Sequence, residues 1–311
     1  MLRLLCAFLF LLIPRAEALE ATKTPLPVSG PKAKALIEQV EAVFYQADRS
    51  DRYDRTEETL NQLEKVAPDE PYLWWARARL AFFRREALLL SHEQHDLLQK
   101  KRLDLAEECH KDADRCLRLA PKNAECHMLK GGCYAMQAST WGVSLKSVQV
   151  LIPMDHEWDL AMSLPSDFKH MNSDVTTRQL TEILRAILYR VMPDSWWFRF
   201  FAGIRGNKEK AYRWMREAMH GSLLKEPMLL LEEAVASLCY AQDESRPELA
   251  IEGVTILKEG LALKPRDASD KFDQSRMKAI LAKPQDSCNY RREQTEDLSD
   301  AGVASKLHSN P

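Results

Sequence analysis

The sequence predicts an all-α fold of helical hairpins stacked in one superhelical domain. No stretch shows the period-two alternation and β-branched clustering of a strand-rich chain. Four breaks repeat one pattern, a proline followed by polar or acidic residues, around Pro68, Pro121, Pro165 and Pro265. Proline stops one helix and the polar residues start the next. Ahead of these prolines the apolar residues recur at helical spacing, complete as Ala113, Leu117 and Ala120 and partial as Leu257 and Leu261.

Taken in order, residues 1–18 read as a secretory signal: Arg3 supplies the positive start, residues 4–13 form an apolar core, and Ala16-Glu17-Ala18 is a cleavage site. That core is ten residues long, and a membrane-spanning helix needs about 20. The mature chain is therefore expected to be periplasmic or secreted. Cys6 lies within the apolar core rather than just behind it, so lipoprotein anchoring is not expected. Residues 19–32 read as a linker, 33–283 as the helical repeat domain, and 284–311 as a polar, disordered tail. Trp74, Trp75, Phe82 and Phe83 fall at helical spacing after Pro71, the pattern of a core stripe. In the segment beginning at Asn207 the same rhythm returns, with its terminating proline, Pro227, displaced by several residues.

Composition narrows the function. There are 44 Lys+Arg against 46 Asp+Glu, a formal charge of −2, and no basic run dense enough to wrap a polyanion, so nucleic acid is excluded as a partner. With only 10 glycines, neither a dinucleotide-binding nor a P-loop glycine motif occurs. No hydrolase signature occurs either: both S-x-x-K matches, at Ser29 and Ser222, lack their companion motifs. His92 and His95 stand three apart rather than the four a zinc-binding helix needs. Carboxylates pair with cations at i, i+4, as Glu107 with Lys111 and Asp114 with Arg118, in the manner of solvated helix faces. Nothing favours an enzyme, a cofactor or a metal.

Three features carry structural or functional weight. Cys109 and Cys116 are seven apart, as are Cys126 and Cys133, with Pro121 between the pairs. Seven residues are two helical turns, and in an antiparallel hairpin the pairs Cys109 with Cys133 and Cys116 with Cys126 share one register. Two disulfide rungs are natural there; buried free thiols are the alternative. A metal held by the doubled Glu-Cys-His triplets is a third reading, disfavoured because the rungs would lie about 10 Å apart. Cys239 pairs with Cys288 only if the tail packs back. Next, Trp196, Trp197, Phe198, Phe200 and Phe201 crowd a loop-like stretch between Pro193 and Gly206. They call for burial in the fold, in a subunit or partner interface, or at a membrane surface, where Arg199 and Arg205 would suit the headgroups. Finally, Gly131 and Gly132 inside a helix imply close helix packing or a backbone open beside a cavity.

Helix B ending in Ala-x-x-Leu-x-x-x-Pro resembles the tetratricopeptide repeat (TPR), although the prolines at 68, 121, 165, 227 and 265 are 38 to 62 residues apart, longer than the usual period. The order Gly131-Gly132-Cys133-Tyr134, Trp141-Gly142-Val143-Ser144-Leu145-Lys146, a helix reaching Leu164-Pro165, and Gly206-Asn207-Lys208-Glu209-Lys210-Ala211 is narrower. It resembles the T component of TPR-associated tripartite ATP-independent periplasmic transporters and, more distantly, the regulator of microtubule dynamics family. The resemblance implies a non-catalytic periplasmic scaffold, a homotrimer, that works with a substrate-binding protein on apolar small ligands. Gly131, Gly132, Tyr134 and Trp141 are then the expected ligand or pore residues. A structural or assembly protein of the envelope, binding peptide or cell-wall components, is the other expectation.

Overall fold

The computed structural model describes residues 30–46, 51–88, 95–166, 176–220 and 225–292. The expected signal segment 1–18 and the His92 end of the histidine pair lie outside these residues. The order is α1 (Pro31–Phe44), α2 (Arg52–Val66), α3 (Pro71–Ala87), α4 (His95–Leu119), α5 (Ala124–Trp141), α6 (Leu145–Ser163), α7 (Thr177–Val191), α8 (Trp196–Ala202), α9 (Lys208–Met219), α10 (Pro227–Asp243), α11 (Pro247–Ala262) and α12 (Ala268–Ala282), then a 3-10 helix, Pro284–Asn289. No strand occurs among the described residues.

Helix starts follow from local chemistry. Asn123 at the head of α5 accepts from the Cys126 N–H at 2.9 Å, Asn207 at α9 from Lys210 N–H at 2.7 Å, and Asp267 at α12 from Asp270 N–H at 2.9 Å. Each cap contributes about 1 kcal/mol by satisfying a donor that the helix leaves unpaired. Thr176 and Gln179 form a reciprocal capping box on α7. Proline does more than stop helices. Pro31, Pro71, Pro227 and Pro247 stand in the first turn of α1, α3, α10 and α11, where the missing N–H costs nothing. Pro227 therefore opens α10 and does not close the preceding repeat, as its spacing had suggested; α9 already ends at Met219. The expected linker likewise gives way at Pro31, where α1 begins.

Consecutive helices pack as hairpins, α1 on α2, α3 on α4, α5 on α6 and α10 on α11, while α4 also packs on α5 and α7 on α9. The TPR-like stack is built this way: each hairpin hides its apolar stripe against the next. Of the predicted stripe of α3, Trp74 and Trp75 are buried with Leu60, Leu63, Ala113, Cys116 and Cys126 in the first core and Phe82 packs half-buried against it, whereas Phe83 is exposed. Leu230, Leu231, Val235, Leu257 and Met277 form the core of α10 to α12.

The stretch beginning at 284 departs from the expected disordered tail. Tyr290 and Ser287 are buried. Arg190, on α7 and fully buried, donates to the carbonyls of Ser287 at 3.0 Å and Tyr290 at 2.8 Å, and pairs with Glu232 of α10 at 3.0 Å. Arg292 pairs with Asp273 of α12 at 2.9 Å and with Glu86 of α3 at 2.7 Å. Arg52, at the start of α2, lies 3.6 Å from Asp267 at the head of α12. The helices α2 and α3 are thus joined by charge to the α12 end of the stack. Residues 293–311 lie outside the described set.

Asp114 also differs from expectation, pairing with Lys130 of α5 at 2.7 Å. The neighbouring helix offers a closer cation than the next turn of its own.

Candidate functional site

The cysteines take the predicted register. Cys109 is bonded to Cys133 and Cys116 to Cys126, all four side chains fully buried between α4 and α5. The sulfurs of the Glu-Cys-His triplets, Cys109 and Cys126, are thereby taken by Cys133 and Cys116. His110 packs edge-on against Tyr134 at 4.5 Å between ring centres, and burial with Lys130 nearby pulls its pKa down to about 4. His127 faces Glu157 at 2.6 Å. No group of three or more potential metal ligands occurs among the described residues. Cys239 is bonded to Cys288, because the 3-10 helix packs back on α10.

Of the expected pore residues, Gly131 and Gly132 face packed side chains. A Cβ on Gly131 would lie 2.3 Å from Trp158 Nε1 of α6, and one on Gly132 would meet Phe82 of α3 at 3.6 Å. Glycine is needed at 131 because the indole sits where a side chain would start. Of the two readings of this pair, close packing holds. Tyr134 and Trp141 are half-buried, Tyr134 against His110 and beneath the Lys130 ammonium, 5.3 Å from the ring centre.

The aromatic stretch is a helix, α8, rather than a loop. Two turns of helix sort its side chains: Phe198 is buried and Phe200 79% exposed, while Trp196, one turn before Phe200, is 78% exposed. The side chains of Trp197 and Phe201 lie outside the described set. Phe198 and Ala202 pack with Leu151, Met154, Trp158, Leu188 and Val191, which pins α8 to α6 and α7. Gly203 ends the helix with φ at 73°, the left-handed conformation glycine adopts without strain.

A second surface lies where α9, α10 and α11 meet, an open cleft of about 430 Å³ lined by Arg216, His220, Lys225, Glu233, Glu252 and Glu259 above Met219, Leu230 and Ile256. Tyr212 stacks on Tyr240 with ring centres 5.4 Å apart and donates to Glu252 at 3.2 Å. Arg216 pairs with Glu252 at 3.4 Å and Lys225 with Glu259. Glu233 sits among these carboxylates; burial first, then Glu252 and Glu259, push its pKa up to about 7. Chemically the cleft can take charged groups of either sign, and near neutral pH Glu233 can shed its proton to meet a cation. The cleft's hydroxyl, Thr255, is committed to the Ile251 carbonyl at 2.8 Å. Sequence reading missed this cleft. Its residues come from α9, α10, α11 and the segment between α9 and α10, up to 43 positions apart, Arg216 to Glu259, so no local spacing groups them.

No protein family's sequence profile matches the chain, and no curated protein matches it.

Proposed function

We propose that the mature chain is a non-catalytic periplasmic scaffold whose stacked hairpins hold a protein partner, with the charged cleft between α9, α10 and α11 as the docking site. The observation that carries this reading is the lining of that cleft: three carboxylates and two cations around a short apolar floor. Such a wall suits a peptide segment bearing charged side chains. It suits an apolar small molecule poorly, since a ligand of that kind needs a mostly hydrophobic pocket. A transporter-type substrate-binding protein is the partner the sequence resemblance implies, and a homotrimer the assembly.

The test is isothermal titration of the purified mature chain with a substrate-binding protein encoded beside it, with light scattering for the oligomer. E233K/E252K should weaken the complex at least tenfold, and added salt should do the same. Unchanged affinity in that variant would remove the cleft from the proposal, and a monomer would remove the trimer.

A structural or assembly role in the envelope is the second reading, favoured by the three disulfide pairs along the chain. It expects retention on cell-wall material that does not change in E233K/E252K.

A further inference from the structure

Among the described residues, Trp196 and Phe200 are the two most exposed large apolar side chains, and they stand one turn apart on one face of α8. The helix cannot roll them inward, because its other face, Phe198 and Ala202, is already buried in the α6–α7 core. The apolar surface continues onto α6. Ile152, 55% exposed, has its side chain 2.7 Å from where a Gly203 Cβ would stand, at the end of α8. Leu145, seven residues earlier on the same face of α6, is also exposed.

Cations border this surface. The first turn of α6 carries Lys146, α8 carries Arg199 and the loop after it Arg205; against them the loop before α8 offers Asp194, 3.6 Å from Arg205. Farther along α6, Asp155 and Asp159 are both taken by Arg185 of α7, at 3.0 and 2.6 Å. In a chain whose formal charge is −2, an apolar ridge with a positive border is a local inversion. Exposed to this degree on one face, Trp196 and Phe200 form a ridge.

We propose that α8 is a peripheral membrane anchor for an anionic bilayer surface. Trp196 and Phe200 enter the boundary between headgroups and acyl chains, with Ile152 and Leu145 beside them. Lys146, Arg199 and Arg205 lie at the level of the lipid phosphates. Aromatic side chains with an apolar body suit that depth, and basic neighbours add attraction to anionic lipid. A helix of seven residues is about 10 Å long and inserts without crossing. No helix among the described residues is long and apolar enough to cross a membrane, so the contact is one of surface adsorption. This inference is independent of the cleft and of the scaffold reading.

The experiment is co-sedimentation of the full mature chain with vesicles of phosphatidylcholine, alone or mixed with phosphatidylglycerol. Wild type should bind the mixed vesicles, more weakly as salt rises, and the neutral ones less. W196S/F200S should lose about tenfold or more of that binding, since each side chain gives up its apolar transfer, while its thermal unfolding stays that of wild type. R199Q/R205Q should bind mixed vesicles less and neutral ones unchanged. I251S, which removes an exposed apolar side chain on α11, should bind as wild type does. The proposal is overturned if wild type ignores the mixed vesicles, if W196S/F200S binds them equally, or if I251S loses as much. Self-association abolished by W196S/F200S without vesicle binding would make the ridge a protein interface and would overturn it too.

Discussion

Replacing Gly131 and Gly132 one at a time by Ala gives a decisive test of how α5 packs. In a helix interior the change from Gly to Ala contributes about 1 kcal/mol through backbone entropy alone. At 132 the new methyl would meet Phe82 at 3.6 Å, ordinary van der Waals contact, so G132A should be more stable than wild type by about 0.5–1 kcal/mol. At 131 the methyl would lie 2.3 Å from Trp158 Nε1 and 2.4 Å from Cδ1. Trp158 is fully buried, and its indole N–H donates to the Met128 carbonyl at 3.2 Å. The ring can yield only by disturbing that bond and the core around it. Overpacking of this kind costs about 1–3 kcal/mol, and a buried indole N–H left without its acceptor about 1 more. After the gain in propensity, G131A should be destabilised by about 1–3 kcal/mol. Urea unfolding followed by far-ultraviolet circular dichroism measures both, and G131A/W158F should recover part of the loss. A G131A protein as stable as wild type, or a G132A protein damaged equally, would refute the packing argument and bring back an open backbone at this pair.

Peptide mapping without reduction should find three linked pairs; on chain entropy, breaking the 49-residue Cys239–Cys288 link costs about 4 kcal/mol and the 10-residue Cys116–Cys126 link about 3. The pKa of Glu233 rises on folding from 4.5 to about 7, so the stability it contributes is complete below pH 4.5 and is lost as pH climbs through 7. E233Q should match wild type in acid and exceed it by about 1–2 kcal/mol above about pH 8, after discounting for solvent screening; equal stability at both ends would contradict this. R190M should cost about 3–5 kcal/mol, because it leaves Glu232 buried without its cation, whereas R190M/E232L should recover much of that. Additive losses in that pair, measured by urea unfolding, would show that the two charges do not depend on each other.

The hairpin of α4 and α5 was legible because its evidence is local. Pro121 and Asn123 mark the turn, and helical spacing on either side fixes which cysteines face each other. The Cys239–Cys288 link was not, since it depends on Arg190 holding the carbonyls of Ser287 and Tyr290, 97 and 100 residues away. A polar stretch with no apolar rhythm reads as disordered when its partner is a buried guanidinium rather than an apolar face. In α8 the aromatic crowding was visible, yet its sidedness was hidden: treated as a loop, the segment has no faces, whereas as a helix it turns Phe198 inward and Trp196 with Phe200 outward. Gly131 and Gly132 stayed ambiguous because glycine spacing does not reveal what stands opposite, and Trp158 lies 27 residues on from Gly131.

Repeat arrays usually change length freely in evolution, since a hairpin added at either end needs only its neighbour. Here Arg292 reaches Glu86 across 206 positions, and Arg52 lies 3.6 Å from Asp267. An inserted or deleted hairpin would pull both contacts apart, leaving Glu86 with Arg85 alone and Arg292 with Asp273 alone. The number of hairpins between α2 and α12 is therefore set by closure, as the strand number of a barrel is, and that span should unfold as one unit.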